Sequence, residues 1–197
     1  MDTRKKLFGG LSFQRVPSNP KLKSQIETMF MRVMPQRLPS GEAVIYLELR
    51  RHEPEIYSAE DTVRTWHYLI ISAIRKHPEL ARTGFVFVGN MTGAAYANMD
   101  LGVPEAIASA LNNCMPVRIA NFFIINPPFL LQMAIPVIKL MLSTKLGERV
   151  NVVTDISTLY SEHDLDPAYF PDAIGGQVSV DCATEHTDAI LADNVSV

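Results

Sequence analysis

Between residues 119 and 142 runs a stretch of 24 residues that is apolar almost throughout, broken in its middle by Asn126-Pro127-Pro128. As one helix of about 20 apolar residues it would be long enough to cross a bilayer. Consecutive prolines argue against one helix, because each removes a backbone donor that lipid could not replace. The stretch therefore divides into a strand over 119–125 and a separate helix over 129–142. In the helical half only Gln132 and Lys139 are polar. A helix that is apolar on nearly every side has no face to offer water. Two readings fit it: a helix buried in a core, or one that covers an apolar cavity and leans on a membrane when open. Its composition does not separate them.

The surrounding pattern alternates between two periods. Apolar, β-branched runs at 43–49, 84–89, 119–125 and 149–153 read as strands. Ser58-Ala59-Glu60-Asp61 has the form of a capping box ahead of a helix over 62–77, with Val63, Trp66, Ile70 and Ile74 on one stripe. Pro104 opens a second helix, to about residue 113, with Ile107, Ala108 and Leu111 on its apolar face. Strands alternating with helices imply an α/β fold with a mostly parallel sheet. At 197 residues the chain has room for one such domain and its tails. Residues 1–40 read as a basic arm with a short helix over 21–34, and 177–197 as an acidic tail expected to be disordered.

Charge narrows the partners. A net charge of −3 and a pI near 5.9 leave no basic surplus to neutralise phosphates along a duplex, so no nucleic-acid partner is expected. The ends are nonetheless opposite in sign. Arg4, Lys5, Lys6, Arg15, Lys21 and Lys23 crowd the start, while Asp181, Glu185, Asp188 and Asp193 mark an end without Lys or Arg. A basic arm of that kind gains roughly 1 kcal/mol per side chain beside anionic lipid. Two cysteines, Cys114 and Cys182, are too few for a disulfide framework, and no secretory signal follows the charged start. A cytoplasmic protein is expected, and the sequons at Asn90 and Asn194 are then idle.

Catalysis finds no foothold. There is no nucleophile elbow, Walker loop or dinucleotide glycine fingerprint, and His52-Glu53-Pro54 lacks the second histidine of a zinc protease motif. The histidines at 52, 67, 77, 163 and 186 have no ligand spacing. No catalytic residue, metal or cofactor is expected.

Four segments, in order, resemble one family. They are Pro116-Val117-Arg118; Phe123-Ile124-Ile125-Asn126-Pro127-Pro128; Ile138-Lys139 with Lys145 and Glu148-Arg149; and the ending Phe170-Pro171-Asp172-Ala173-Ile174-Gly175-Gly176. Over residues 41–176 the chain is similar to the CRAL-TRIO lipid-binding domains. The family's N-terminal helical bundle is not recognisable in residues 1–40. The resemblance implies an apolar pocket floored by the sheet and closed by a gate helix, here 129–142, with Phe129, Met133, Val137 and Leu140 along it. By analogy the pocket walls are Trp66, Ile70, Phe85, Phe87, Ile107, Leu111, Ile119, Phe122 and Ile138. The implied ligand is a hydrophobic lipid, moved or presented between membranes. Burying a chain of about 16 carbons is worth on the order of 13 kcal/mol, so a carrier has to match the bilayer interior.

In the branch of the family that carries tocopherol, basic residues beside the gate bind phosphorylated inositol lipids. Arg118, Lys145 and Arg149 stand at similar places, and Lys145 and Arg149 share a face if the turn between them is helical. The resemblance therefore implies a peripheral membrane protein that docks on phosphoinositides. A membrane-recruitment module that docks without transferring lipid is the competing reading. Two departures mark this chain. Leu140 replaces the proline that follows the gate lysine, with Pro136 one turn earlier, and Asn90 stands where an acidic residue is common.

Overall fold

The computed structural model describes residues 19–192 other than Cys114 and Pro116, with Asn113 described by its backbone alone. Five strands form one sheet in chain order: β1 (Met31–Arg37), β2 (Ala43–Glu48), β3 (Phe85–Asn90), β4 (Ile119–Ile125) and β5 (Val150–Val153). β1 runs antiparallel to β2, and the other three pairings are parallel. Each parallel step needs a crossover, and the helices supply them. The crossovers are α2 (Ala59–Lys76), α3 (Gly102–Asn113) and α4 (Phe129–Met141), while α1 (Pro20–Glu27) precedes β1 and α5 (Val180–Ala192) follows β5, with shorter helical turns between. The fold class is thus α/β, with a mostly parallel sheet covered on both faces.

Local chemistry explains the firm elements. The Ser58 hydroxyl accepts from the Asp61 N–H at 3.2 Å while the Asp61 carboxylate accepts from the Ser58 N–H at 3.1 Å, the reciprocal cap read from the sequence. α2 then buries Val63, Trp66, Ile70 and Ala73 against Ile45, Phe85 and Phe87. Side chains alternate across a strand. Val44, Tyr46, Val86, Val88 and Phe123 therefore face the other way, into a second core closed by Leu159, Phe170, Ile174 and Ala183.

Both termini differ from their sequence reading. The helix expected over 21–34 ends at Glu27, Met29 turns with φ 53°, and residues 31–37 become the edge strand. Val33 pairs with Ile45 and Met31 with Leu47, and a bulge falls between Val33 and Arg37. Pro35 lies in that bulge, a place where an edge strand tolerates the missing N–H. The arm expected over 1–40 therefore contributes a strand to the sheet, while its first 18 residues lie outside the described residues.

Within the tail expected to be disordered over 177–197, residues 180–192 fold as α5, packed on β1 with Ala183, Thr187 and Ile190 buried, while residues 193–197 lie outside the described residues. Thr187 accepts from the Val33 N–H at 2.9 Å, and Arg32 Nε donates to the Thr184 hydroxyl at 2.9 Å. Partners for an edge strand's orphan groups outweigh an acidic composition. Beside this junction Glu48 is buried with Arg32 and accepts from Arg32, Arg50 and Arg51. Burial pushes the Glu48 carboxyl up, but the three guanidiniums more than offset it and hold the group below its ordinary range.

Candidate functional site: an apolar cavity beneath α4

Between α3, α4 and the second half of the sheet the packing stops short and leaves a cavity of about 170 Å³. For scale, an engineered apolar cavity of about 150 Å³ stays dry and admits benzene. Leu47, Gly89, Ile119, Phe122, Ile124 and Val150 form its strand side. Val103, Ile107 and Leu111 close it from α3, and Leu131, Ile135 and Ile138 from α4. Gly89 keeps the floor low: a Cβ there would stand 3.8 Å from the Phe122 ring, ordinary contact, so glycine is not demanded by sterics and its effect is to leave space.

Five of the nine wall residues named from the sequence line this space: Ile107, Leu111, Ile119, Phe122 and Ile138. The other four do not. Trp66, Ile70, Phe85 and Phe87 are fully buried in the solid core under α2, where the Trp66 and Phe87 rings lie 5.0 Å apart. Phe87 stacks on Phe122 at 5.7 Å, so it backs the wall without reaching the space. The physical reason is that α2 sits directly on β2 and β3 and leaves nothing between, whereas α4 sits over β4 and β5.

The residues named along α4 stand on its outer side. Phe129, Met133, Val137 and Leu140 are 72%, 65%, 61% and 84% exposed. The inward stripe is Leu131, Ile135 and Ile138. No sequence signal distinguishes the two, since both are apolar at helical spacing. Pro136 lies within α4, whose first turn is tied by Gln132 Nε2 donating to the Pro127 carbonyl at 2.7 Å.

Arg118 immediately precedes β4 and Arg149 immediately precedes β5, at the same end of the sheet, while Lys145 lies on the turn between α4 and β5. Arg118 Nη1 donates to the Arg82 carbonyl at 3.2 Å, and Arg149 Nη1 donates to the Ile119 carbonyl. Lys145 is exposed on the turn Thr144–Gly147. The turn between the pair is helical, as the sequence reading required, and Arg149 follows it directly, with its N–H donating to the Leu146 carbonyl at 3.1 Å.

The sequence reading missed both polar wall residues. His52 is buried, with Nδ1 2.9 Å from the Asn98 carbonyl and Nε2 3.2 Å from the Thr62 hydroxyl. A carbonyl can only accept, so Nδ1 carries a proton, and Nε2 is engaged by the Thr62 hydroxyl. Asp100 is half-buried in the lining, and one of its carboxylate oxygens accepts from the Gly102 N–H at 2.7 Å. Neither residue falls in a recognisable spacing. Among the described residues no cluster of three or more His, Cys, Asp or Glu could hold a metal ion, and no helix is long and apolar enough to cross a membrane.

A family model described as the CRAL/TRIO domain matches residues 27–176, starting fourteen residues before the boundary read from the sequence at 41. Tyrosine-protein phosphatase non-receptor type 9 of Mus musculus and of Homo sapiens are each 26% identical to the chain over 168 residues. That alignment covers 85% of this chain and 28% of each relative, so the chain spans little more than a quarter of their length. Among solved structures, the crystal structure of Sfh5 superposes with a TM-score of 0.56 at 14% identity, over 90% of this chain and 66% of that one. At that identity the likeness concerns the fold.

Proposed function

This chain belongs to the CRAL/TRIO domain family, a family of lipid-binding domains, and we propose that it takes a hydrophobic lipid into the cavity beneath α4 and transfers or presents it at a membrane. The observation that carries the reading is the pairing of an apolar cavity with a covering helix that is apolar on both sides. An inward stripe alone would be ordinary packing. An outward stripe of large exposed apolar side chains has a physical purpose only against another apolar phase. On this reading α4 is the gate: its outer stripe enters the bilayer, and its displacement widens the cavity from a space of about 170 Å³ to one that admits a whole lipid.

Arg118, Lys145 and Arg149 are proposed to hold a phosphoinositide head group beside the last turn of the gate. Their shared end of the sheet and the exposure of Lys145 support this, although Arg118 and Arg149 each give one donor to a carbonyl. Guanidinium groups have five donors, which leaves most of them available. The protein so described is cytoplasmic and peripherally membrane-associated. It does not act as an enzyme.

The test is extraction. The purified chain, stripped of co-purifying lipid, is mixed with vesicles carrying a labelled lipid, with and without phosphoinositides, and then separated from them. Transfer predicts label in the protein fraction. The double variant Lys145→Ala and Arg149→Ala is expected to bind phosphoinositide vesicles several-fold more weakly while still taking up lipid. Docking without extraction would replace the carrier reading with membrane recruitment.

A further inference from the structure

Few polar contacts hold α4 in place. Among the described residues it makes no ion pair, and its one side-chain hydrogen bond, from Gln132 Nε2 to the Pro127 carbonyl, stays within its own entry. Apolar packing does the rest, with Leu131 and Ile135 set against Ile124 and Val150. Such contact is not directional, so it does not by itself fix the angle of the helix. The directional tie comes just before the helix, at Asn126. Its N–H donates to the Val153 carbonyl at 2.8 Å, and its φ is 49°, in the left-handed region that asparagine enters more readily than most residues. Its side-chain Nδ2 reaches sideways and donates to the Thr92 hydroxyl at 2.9 Å.

The Thr92 end of that bond is anchored. The Thr92 N–H donates to Asn90 Oδ1 at 3.0 Å, and Asn90 is itself buried, with its amide donating to the Tyr46 hydroxyl at 2.8 Å. Farther along the same loop the Asn98 amide donates to the carbonyls of Arg50 and His52, and the Asn98 carbonyl accepts from His52 Nδ1. Residues 91–101 are thus pinned to the end of β2, whereas Asn126 stands at the root of α4. Resting on the reading of α4 as a gate, we propose that the Asn126–Thr92 hydrogen bond is the latch that keeps the gate closed, and that Asn126 is the hinge about which it opens. Pro127 and Pro128 have φ fixed by their rings, so they pass a turn at Asn126 to the whole helix as a stiff arm. Neither Asn126 nor Thr92 lines the cavity, so both act as positioning residues.

The experiment compares the stripped full chain with Thr92→Val, which keeps the shape and removes the acceptor, and with Thr92→Ser, which retains the hydroxyl. Amide hydrogen exchange reads the opening of α4 with no ligand present. In Thr92→Val the amides of α4 are expected to exchange roughly threefold to tenfold faster, the worth of one hydrogen bond, with exchange in β3 and β4 and the melting temperature unchanged. Thr92→Ser is expected to keep the parental rate. Asn126→Gly removes the donor while leaving positive φ accessible, and is expected to match Thr92→Val. Parental exchange of α4 in both Thr92→Val and Asn126→Gly, or acceleration spread evenly over the sheet, would overturn the latch. The second readout is the initial rate at which each protein takes up radiolabelled phosphatidylcholine from phosphatidylcholine vesicles, expected to rise by the same factor in the two unlatched variants. An uptake rate that stays parental while α4 exchange accelerates also overturns the latch. Local acceleration with no lipid taken up by any of the proteins leaves the latch standing and overturns the carrier reading.

Discussion

The two halves of the cavity-side face of the sheet are built from the same kinds of residue and end in opposite states. Under α2 the strands meet Val63, Trp66 and Ile70, and the space is filled to the last ring. Under α4 the strands meet Leu131, Ile135 and Ile138, and a hollow remains. α2 is amphipathic, with Arg75 and Lys76 exposed and Val63, Trp66 and Ile70 buried, so its apolar stripe goes into the core. α4 has a second apolar stripe on its outer side, which the fold leaves unburied. The lesson is that apolar content alone does not tell packing from vacancy. What differs is how many apolar atoms lie within reach of one another, and dispersion is lost wherever they do not.

The contrast can be broken by substitution. Phe87→Ala removes a ring packed between Trp66 and Phe122 and is expected to cost about 3–5 kcal/mol, read as a lowered urea midpoint. Ile135→Ala, equally buried but facing the hollow, is expected to cost only about 1 kcal/mol, since the lost methyl groups already lacked partners on one side. Equal costs for the two would mean the hollow is packed in solution.

A substitution that fills the space sharpens the comparison from the other direction. Gly89→Phe places a ring in the cavity from a backbone position where a Cβ meets nothing closer than 3.7 Å. Lipid extraction is expected to fall by roughly tenfold or more while thermal stability holds or rises, because burying the ring adds apolar contact. Undiminished extraction would show that lipid is held elsewhere.

The smallest effect is expected outside. Met133→Glu with Leu140→Glu changes two exposed positions and is expected to leave folding stability within about 0.5 kcal/mol. Vesicle binding should weaken several-fold, because each charge opposes entry into the acyl region. Unaltered vesicle affinity in a flotation assay would remove the outer stripe of α4 from the membrane contact.

Much of this architecture was legible in the chain. The strand at 119–125 and the helix beginning at Phe129 emerge with those bounds, since paired prolines leave few alternatives. α2 was marked by its cap and its stripe. β1 and α5 were not legible, and the reason is the same for both. Residues 31–37 and 180–192 have weak local preferences, and each is stabilised by the other through the Val33–Thr187 and Arg32–Thr184 hydrogen bonds across about 150 positions of sequence.

The candidate site divides along the same line. By itself the sequence determined that an apolar helix follows a buried strand. Which stripe of α4 faces inward, that Trp66 and Phe87 belong to the solid half, and that His52 and Asp100 reach the cavity were decided only when distant elements closed on one another. Hydrophobicity is a property each residue has alone, whereas an empty space is defined by the distances among the many residues that surround it.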